Sequence, residues 1–588
     1  MDSNHIQHTS SARRESGHTR ATSIKAIASY LPELDPKEVD VTNSDSSIAK
    51  IAKEHNSPDN KLDIKYRVGI FWKRYKIYWC LVLWLLLTSY FVVSLALKRK
   101  TQLSDLLPLI FLYIFISAKM LFAFTGTAFV SRPTSFAFKK AMHQVLRLPQ
   151  SARYIASVII LLAIILAVSL GLPESSGNKR INRMQSFLGI IFILALLVLT
   201  SKNRSQIQWR TVIVGFLLQF CLGCVVVKTK WGTDFFTWLA TIASSLLEFA
   251  RYGTKFLFGD DVGGSAIFAV SVFPAIIFFS AFIQMTTYLG GAQWLLRNLG
   301  WLFLKMLNTS GVESIVAAAS PFFGQSENVL LVKDYLEHMT KSEIHACMTA
   351  GFATISGSTL QGYIVLGVNA ANIITACIMS IPCSLALSKI RYPETEVPLT
   401  RGKIVEPPRC TSEVNIIHAI SSGAALGMNL SLLIAANLIA IIALVNLADF
   451  FFTWFGQFIA INNLTLELIL GYILYPYTWL LGVSNKDVLL VSQLLGLKFV
   501  ANEFVAYQRL TDESKGPSIS SQLTDRSRVI AEFALCGFGN LGGIAQQIGA
   551  FGALAPSRKA DFSQLALSAC ITGSIATTIT AAIISMVM

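Results

Sequence analysis

The chain is organised around apolar runs of helical length, at 78–97, 106–130, 154–172, 186–201, 211–229 and 266–288. A run of about 20 residues wound as an α-helix crosses the hydrocarbon of a bilayer. In hydrocarbon every backbone N–H and C=O must find a partner, and a helix satisfies its own. With 53% hydrophobic and 14% charged residues and a mean hydropathy of +0.55, the composition lies far outside the soluble range. An all-α polytopic integral membrane protein is expected.

The remaining composition narrows the function. The formal net charge of +15 comes from Lys and Arg scattered through short loops rather than gathered into a basic groove, so no nucleic-acid partner is expected. The nine cysteines lie mostly inside apolar runs. Cys221 and Cys224 form a C-x-x-C without a second pair, so the cysteines read as packing residues and no metal site is expected. Residues 1–62 are polar, lack an apolar stretch before a cleavage site, and are expected to form a disordered tail. Lys65, Arg67, Lys73, Arg74 and Lys76 precede the first span, and Arg132, Lys139, Lys140, Arg147 and Arg153 follow the second. This bias predicts a cytoplasmic N-terminus. Lys119, inside the second span, reads as snorkelling to the interface, and His345 and His418 read as interfacial residues. Between 232 and 258, Phe235, Phe236, Leu239, Ile242 and Leu246 recur at helical spacing while Asp234, Glu248 and Arg251 fall elsewhere, which predicts an amphipathic helix along the membrane surface.

Two carboxylates break the apolar pattern: Glu327, in Gly324-Gln325-Ser326-Glu327, and Glu503, in Asn502-Glu503-Phe504. An acid at membrane depth costs at least ~2.5 kcal/mol and marks a functional site. Both lie in irregular segments. Gly, Ser, Asn, Gln, Glu and Pro interrupt hydrophobic sequence at 311–337, 344–367, 465–484 and 491–512. Broken or re-entrant segments survive in a membrane only when buried in protein or lining a wet cavity, and paired interruptions point to a transporter's substrate site. A membrane-embedded enzyme would need a nucleophile, metal cluster or cofactor motif around the acids. None is present in the sequence, so neither enzymatic activity nor a cofactor is expected.

From about Trp209 onward the residues resemble the concentrative nucleoside transporters. The resemblance rests on Gly324-Gln325-Ser326-Glu327, Met339-Thr-Lys-Ser-Glu-Ile-His345, Gly351-Phe-Ala-Thr-Ile-Ser-Gly-Ser358, Pro393-Glu-Thr-Glu396, Asn502-Glu-Phe-Val-Ala-Tyr507, Ala534-Leu-Cys-Gly-Phe-Gly-Asn540 and Ala555-Pro-Ser-Arg558. The three spans nearest the N-terminus resemble the additional helices of eukaryotic-type members. The resemblance implies about 11 transmembrane helices, two opposed re-entrant hairpins, and a homotrimer in which a fixed scaffold carries an elevator-like transport domain. The implied division is a tail at 1–62, additional helices at 63–205, scaffold helices with the amphipathic helix at 206–310, and a transport core at 311–588 whose span near 427–447 returns to the scaffold. It also implies uptake of nucleosides, at the plasma membrane, by ion-coupled symport. The substrate residues would be Gly324, Gln325, Ser326 and Glu327 of the first hairpin, Thr359 of an unwound helix, Glu503 of the second hairpin, and Phe538 and Asn540 of a later broken helix. Carboxylates and amides accept from ribose hydroxyls, while the base offers a flat face and a hydrogen-bonding edge.

Three departures from the family pattern bear on selectivity and coupling. Sodium-coupled members resembling this chain place an Asn four residues before the tip, where Ser320 stands here. The other ion positions are Phe323, Thr354 and Ile355. A hydroxyl replaces a strong amide oxygen, so proton coupling through Glu327 is favoured over sodium, with a sodium-coupled symporter of broad selectivity as the alternative. Gly543 stands where many members place a Ser that helps hold the sugar. Gly324, where pyrimidine-preferring members carry Ser, leaves room for a two-ring base and favours purine nucleosides. Readings of another class are a nucleoside-gated channel and a receptor, separated from a carrier by flux that does not saturate or by binding without flux.

Overall fold

A computed structural model describes residues 150–174, 178–263, 267–403, 405, 413–461, 464–513 and 517–588, with scattered residues between 78 and 117. The chain divides into two compact units, 1–132 and 133–588, a boundary that falls inside the block expected at 63–205. In the first unit a short apolar helix, Trp84–Ala96, is tied down by Trp84 Nε1, which donates to Ser117 Oγ at 2.9 Å, and by stacking of Phe91 on Tyr113. The tail at 1–62, Lys119 and most of the span at 106–130 lie outside the described residues.

The second unit is helical, with a bridge between Ser310 and Arg401. Its helices are α1 (Gln150–Gly171), α2 (Arg180–Leu199), α3 (Trp209–Lys228), α4 (Lys230–Glu248), α5 (Ala250–Gly263), α6 (Phe268–Tyr288), α7 (Gly291–Leu307), α8 (Gly311–Ala319), α9 (Lys341–Phe352), α10 (Leu360–Val365) and α11 (Ala370–Arg391). They continue as α12 (Ile416–Phe458), α13 (Leu466–Leu480), α14 (Val488–Val500), α15 (Glu503–Thr511), α16 (Asp525–Leu535), α17 (Leu541–Leu554) and α18 (Lys559–Val587). Six described helices are long and apolar enough to cross a membrane: α2, α3, α6, α11, α12 and the stretch containing α18. The irregular segments form shorter arms, because Pro321, Gly324, Gly357, Asn502 and Gly537 interrupt them.

The order of elements repeats. From α6 to α11 the chain runs through a long helix, a shorter helix, a hairpin of two arms (α8 and the 3-10 stretch Asn328–His338), a broken helix (α9 and α10) and a second long helix. From α12 to α18 it does so again, with α14 and α15 as the hairpin and α16 and α17 as the broken helix. The closing helices α11 and α18 pack together, and small residues let them approach their neighbours. A Cβ on Gly573 would stand 2.6 Å from Phe352 Cβ. Helix α3 packs on this core, where Gln219 Nε2 donates to Thr580 Oγ1 at 2.7 Å and Gly215 lies against Pro382 and Ala386. That packing sets α3 against α11 and α18, and α3 also touches α7.

Helix α12 is 43 residues long, about 65 Å, far beyond the expected span at 427–447. It packs along α6 through Gly423 and Gly427, whose Cβ atoms would each stand 2.7 Å from Ala281 Cα and Ile277 Cα. The expected amphipathic segment is two helices, α4 and α5. Phe236 and Ala240 of α4 are buried while Trp231, Phe249 and Phe256 are exposed. His345 is not interfacial as expected: it is fully buried, its ring nitrogens 2.7 Å from Ser388 Oγ and 3.2 Å from Ser568 Oγ, because the start of α9 is enclosed by α11 and α18. A buried cation needs partners to offset its desolvation. Arg526 bonds to the carbonyls of Gly482, Asn182 and Ser585.

Candidate substrate site

Each site element begins as a break in a helix. Helix α8 ends at Ala319, where Ser320 and Pro321 lead into a turn closed by the N–H groups of Glu327 and Asn328 on Gly324 O, each at 3.0 Å. The Glu327 carboxylate folds back on this turn and accepts from Gly324 N–H at 3.2 Å. Gln325 Nε2 donates to Gln546 Oε1 at 2.9 Å. Gln325 Oε1, Ser326 Oγ and Asn328 Oδ1 are buried and have no hydrogen-bond partner. Buried polar groups are nearly always paired, so this tip presents acceptors and a hydroxyl with unmet capacity.

Helix α9 unwinds after Phe352. Ser356 Oγ lies 2.8 Å from Ser358 Oγ and 3.2 Å from Thr359 Oγ1, and Thr359 Oγ1 donates to Ser356 O at 2.9 Å. This break crosses the one between α16 and α17. Phe538 N–H donates to Thr354 O at 3.3 Å, and Gly537 adopts φ +107 with its missing Cβ 2.7 Å from Phe352 O. A side chain there would meet both a strained backbone and a carbonyl.

The second hairpin turns at Ala501 and restarts at α15, capped by Asn502 Oδ1, which accepts from Val505 N–H at 2.9 Å. Glu503 follows at once and is 2% exposed. Its two oxygens accept from Tyr363 Oη at 3.1 Å and Asn540 Nδ2 at 3.0 Å. Asn540 caps α17 with its other atom, Oδ1 accepting from Gly543 N–H at 2.7 Å. Beneath this tip Lys498 donates to the carbonyls of Ala534 and Cys536, at 2.8 and 3.1 Å, and so satisfies the open end of α16.

These breaks enclose one cleft. Gly324, Gln325, Ser326, Glu327, Thr359, Glu503, Phe538 and Asn540 all line it, so the eight residues expected to hold substrate are brought together. The ion candidates other than Glu327 are not among its lining. Phe323 and Ile355 line an apolar cavity shared with α4, α6, α7 and α11. Ser320 Oγ donates to Val316 O at 2.8 Å and accepts from Asn328 Nδ2 at 3.0 Å, and Thr354 Oγ1 donates to Ala350 O at 3.0 Å. Gly543 lines the cleft as well, and a Cβ there would stand 2.6 Å from Phe538 O, so this backbone would have to shift to hold the Ser of other members. Sequence reasoning missed Asn502, Phe504, Gln546 and the α12 residues Leu430, Ile434, Asn437 and Ile441. Asn437 gave a signal, as a polar residue in the apolar run at 427–447. Among the described residues no group of His, Cys, Asp and Glu is arranged to hold a metal ion.

Comparison with known proteins fits this geometry. Family models match at 188–261 (Na+ dependent nucleoside transporter N-terminus), 269–370 (nucleoside recognition gate) and 372–585 (Na+ dependent nucleoside transporter C-terminus). Solute carrier family 28 member 3 of Eptatretus stoutii is 40% identical over 430 residues, covering 72% of this chain and 63% of that protein. Sodium/nucleoside cotransporter 1 of Rattus norvegicus is 38% identical over 404 residues, covering 67% of this chain and 62% of that protein. The chain therefore spans less than two thirds of the length of these relatives. Among solved structures, CNTnw in an inward-facing substrate-bound state is similar with a TM-score of 0.64 at 34% identity, covering 69% of this chain and 97% of that one. A substituted CNTnw in an outward-facing state gives a TM-score of 0.65 at 34% identity, covering 70% and 98%. With a cleft assembled from four helix breaks, helices fit to cross a membrane, and matches along most of its second unit, the chain belongs to the concentrative nucleoside transporter family, whose members are carriers and not enzymes.

Proposed function

We propose that this protein is an ion-coupled symporter that takes up nucleosides by an elevator-type alternating-access mechanism. The observation that carries this reading is the convergence of both hairpin tips and both helix breaks on one cleft, with unmet hydrogen-bonding capacity on one wall and a fixed carboxylate on the other. Glu503 and Asn540 take the ribose hydroxyls, Gln325 and Ser326 the edge of the base, and Phe538 offers its ring to the base face. A purine preference is supported by space at Gly324, where an added Cβ would meet Ser356 Cβ at 3.7 Å and would take volume from the cleft. Inward-facing and outward-facing forms of the similar CNTnw support alternating access. In this reading α6, α7 and α12 belong to the scaffold and α3, α8–α11 and α14–α18 move with the substrate. The exposed apolar length of α12 suits assembly as a homotrimer in lipid. We place the protein in the plasma membrane with its N-terminus in the cytoplasm.

The coupling ion turns on the first tip. The proton preference drawn from Ser320 receives no support from the comparisons, which name sodium. One contact supports sodium here: Asn328 reaches the Ser320 hydroxyl and keeps a buried, unpartnered Oδ1 beside it. An amide oxygen thereby returns to the same turn from its other side, as a hard cation requires. Sodium is the first reading, with Asn328 as a ligand. Proton coupling through Glu327 is the second, carried by the committed Ser320 hydroxyl.

Radiolabelled nucleoside uptake into vesicles, with sodium and proton gradients imposed separately, tests this. Sodium-driven accumulation, with the half-saturating sodium concentration raised about tenfold in Asn328→Ala, supports the first reading. Accumulation driven by protons and lost in Glu327→Gln supports the second. Flux that never exceeds equilibrium under either gradient, or binding without flux, removes the symporter.

A further inference from the structure

A buried ionic cluster lies at the far end of the first hairpin from the cleft. Lys389, in the last turn of α11, bonds to Glu313 Oε1, to Ser342 Oγ at 2.9 Å and to Glu394 Oε2 at 3.3 Å. Its side chain is 2% exposed, that of Glu313 1% and that of Glu394 6%. Two helix starts meet at this cluster. Glu313 closes a capping box on α8, accepting from Ser310 N–H at 3.1 Å. Glu343 closes a second box on α9, accepting from Thr340 N–H at 2.9 Å. Thr340 Oγ1, the cap of that box, donates to Glu394 Oε2 at 3.0 Å. The loop after α11 completes the joint: Thr400 Oγ1 accepts from Val312 N–H at 3.3 Å, and Gly311 lies so close to Lys403 O that a Cβ would stand 2.1 Å from it.

The two helices that start here end at the site. Helix α8 runs from the joint to the tip at Ser320–Glu327, and α9 runs from it to the unwound stretch at 353–359. Near those far ends the breaks touch, for a Cβ on Gly351 would stand 3.3 Å from Gln325 Cβ. Two buried carboxylates, Glu313 and Glu394, bond the one ammonium, Glu343 is buried on the neighbouring cap, and the N-terminal dipoles of α8 and α9 contribute further positive potential. Removing the ammonium leaves carboxylates buried without their counter-ion, the costly way to break such a cluster.

We infer that Lys389 is a positioning residue for the substrate site: it joins the roots of the first hairpin and of α9, and so sets the spacing between the Gln325–Glu327 tip and the Ser356–Thr359 wall. The inference rests on the reading of the cleft as the substrate site, but its test does not depend on transport. Hydrogen exchange of the full-length protein in lipid nanodiscs is compared for wild type and Lys389→Met. Exchange about tenfold faster at 320–328 and 353–359, with 501–504 and 536–543 unchanged, supports the role. Uniform loss of protection, or no change at 320–328, overturns it. Uptake per assembled transporter adds a second readout, in which a nucleoside KM raised about tenfold with Vmax retained supports positioning. Lower abundance with KM unchanged overturns it. If Lys389→Met does not assemble, Glu394→Ala keeps the Lys389–Glu313 pair while cutting the tie to Thr340, and is judged by the same outcomes. If exchange shifts as described but no variant or wild-type protein transports nucleoside, the joint stands and the reading of the cleft falls.

Discussion

The two hairpin tips solve one problem in opposite ways. At the second tip Glu503 is already engaged by Tyr363 and Asn540, so its carboxylate is held before any substrate arrives. At the first tip Gln325 Oε1, Ser326 Oγ and Asn328 Oδ1 are buried without partners, and the turn is closed mainly by its own backbone. A satisfied network fixes geometry, whereas unmet groups raise the free energy of the empty state and are relieved by a ligand. One tip is pre-organised. The other is primed.

Substitutions test that contrast by separating stability from binding. The largest effect is expected for Glu503→Gln, whose amide would set a donor against Asn540 Nδ2 or Tyr363 Oη. Uptake, normalised to surface protein, should fall about 100-fold, equivalent to 2–3 kcal/mol, with a lower melting temperature in the absence of nucleoside. Next is Asn540→Ala, which removes both the Glu503 partner and the cap of α17. We expect about 1 kcal/mol less stability and uptake down about 30-fold. Ser326→Ala should behave differently, lowering nucleoside affinity about fivefold while leaving the melting temperature of the empty protein unchanged or raised. A melting temperature lowered as much as in Asn540→Ala would erase the distinction between the tips. The smallest effect is expected for Gly324→Ser, which fits without a clash. It should fold normally and reduce the ratio of purine to pyrimidine uptake about threefold in a competition assay. An unchanged ratio removes Gly324 as a selector of base size.

The halves share a root tie and differ in what is added to it. The first hairpin is tied at its root by the Lys389 cluster, and the second at its root by Asp487, whose Oδ2 accepts from Thr524 N–H at 3.1 Å and Thr524 Oγ1 at 2.7 Å. The second carries a further buried cation near its tip, Lys498, five positions before Glu503, on the carbonyl end of α16. The second tip thus has a buried ammonium beneath it, whereas the first is braced by the side-chain contacts of Gln325 with Gln546 and of Asn328 with Ser320.

Local reasoning went far on the elements themselves. Apolar runs located α2, α3 and α6 to within several residues, and Pro, Gly and buried acids marked the broken segments that became hairpins and unwound helices. It stopped where a residue's role depends on a distant partner. The span expected at 427–447 runs on to Phe458, and Asp449 within the extension accepts from Leu466 N–H at 2.7 Å at the start of α13. His345 looks interfacial until Ser388 and Ser568 arrive from other helices. Asn437 is one of several polar residues in an apolar run, with Asn429, Ser431 and Asn446, and what singles it out is the side of α12 that lines the cleft.

The amino-acid sequence by itself determined the solvent, the helical class, the places where helices fail and the two acids that line the cleft, because membrane insertion and backbone satisfaction are decided within a turn or two of chain. The tertiary structure alone decided that Glu503 meets Asn540 and Tyr363, that Asn328 reaches Ser320 across the turn, and that Lys389 joins two helix starts. Those contacts link separate breaks and helix termini, and their energies depend on burial and direction that exist only once the chain has closed on itself.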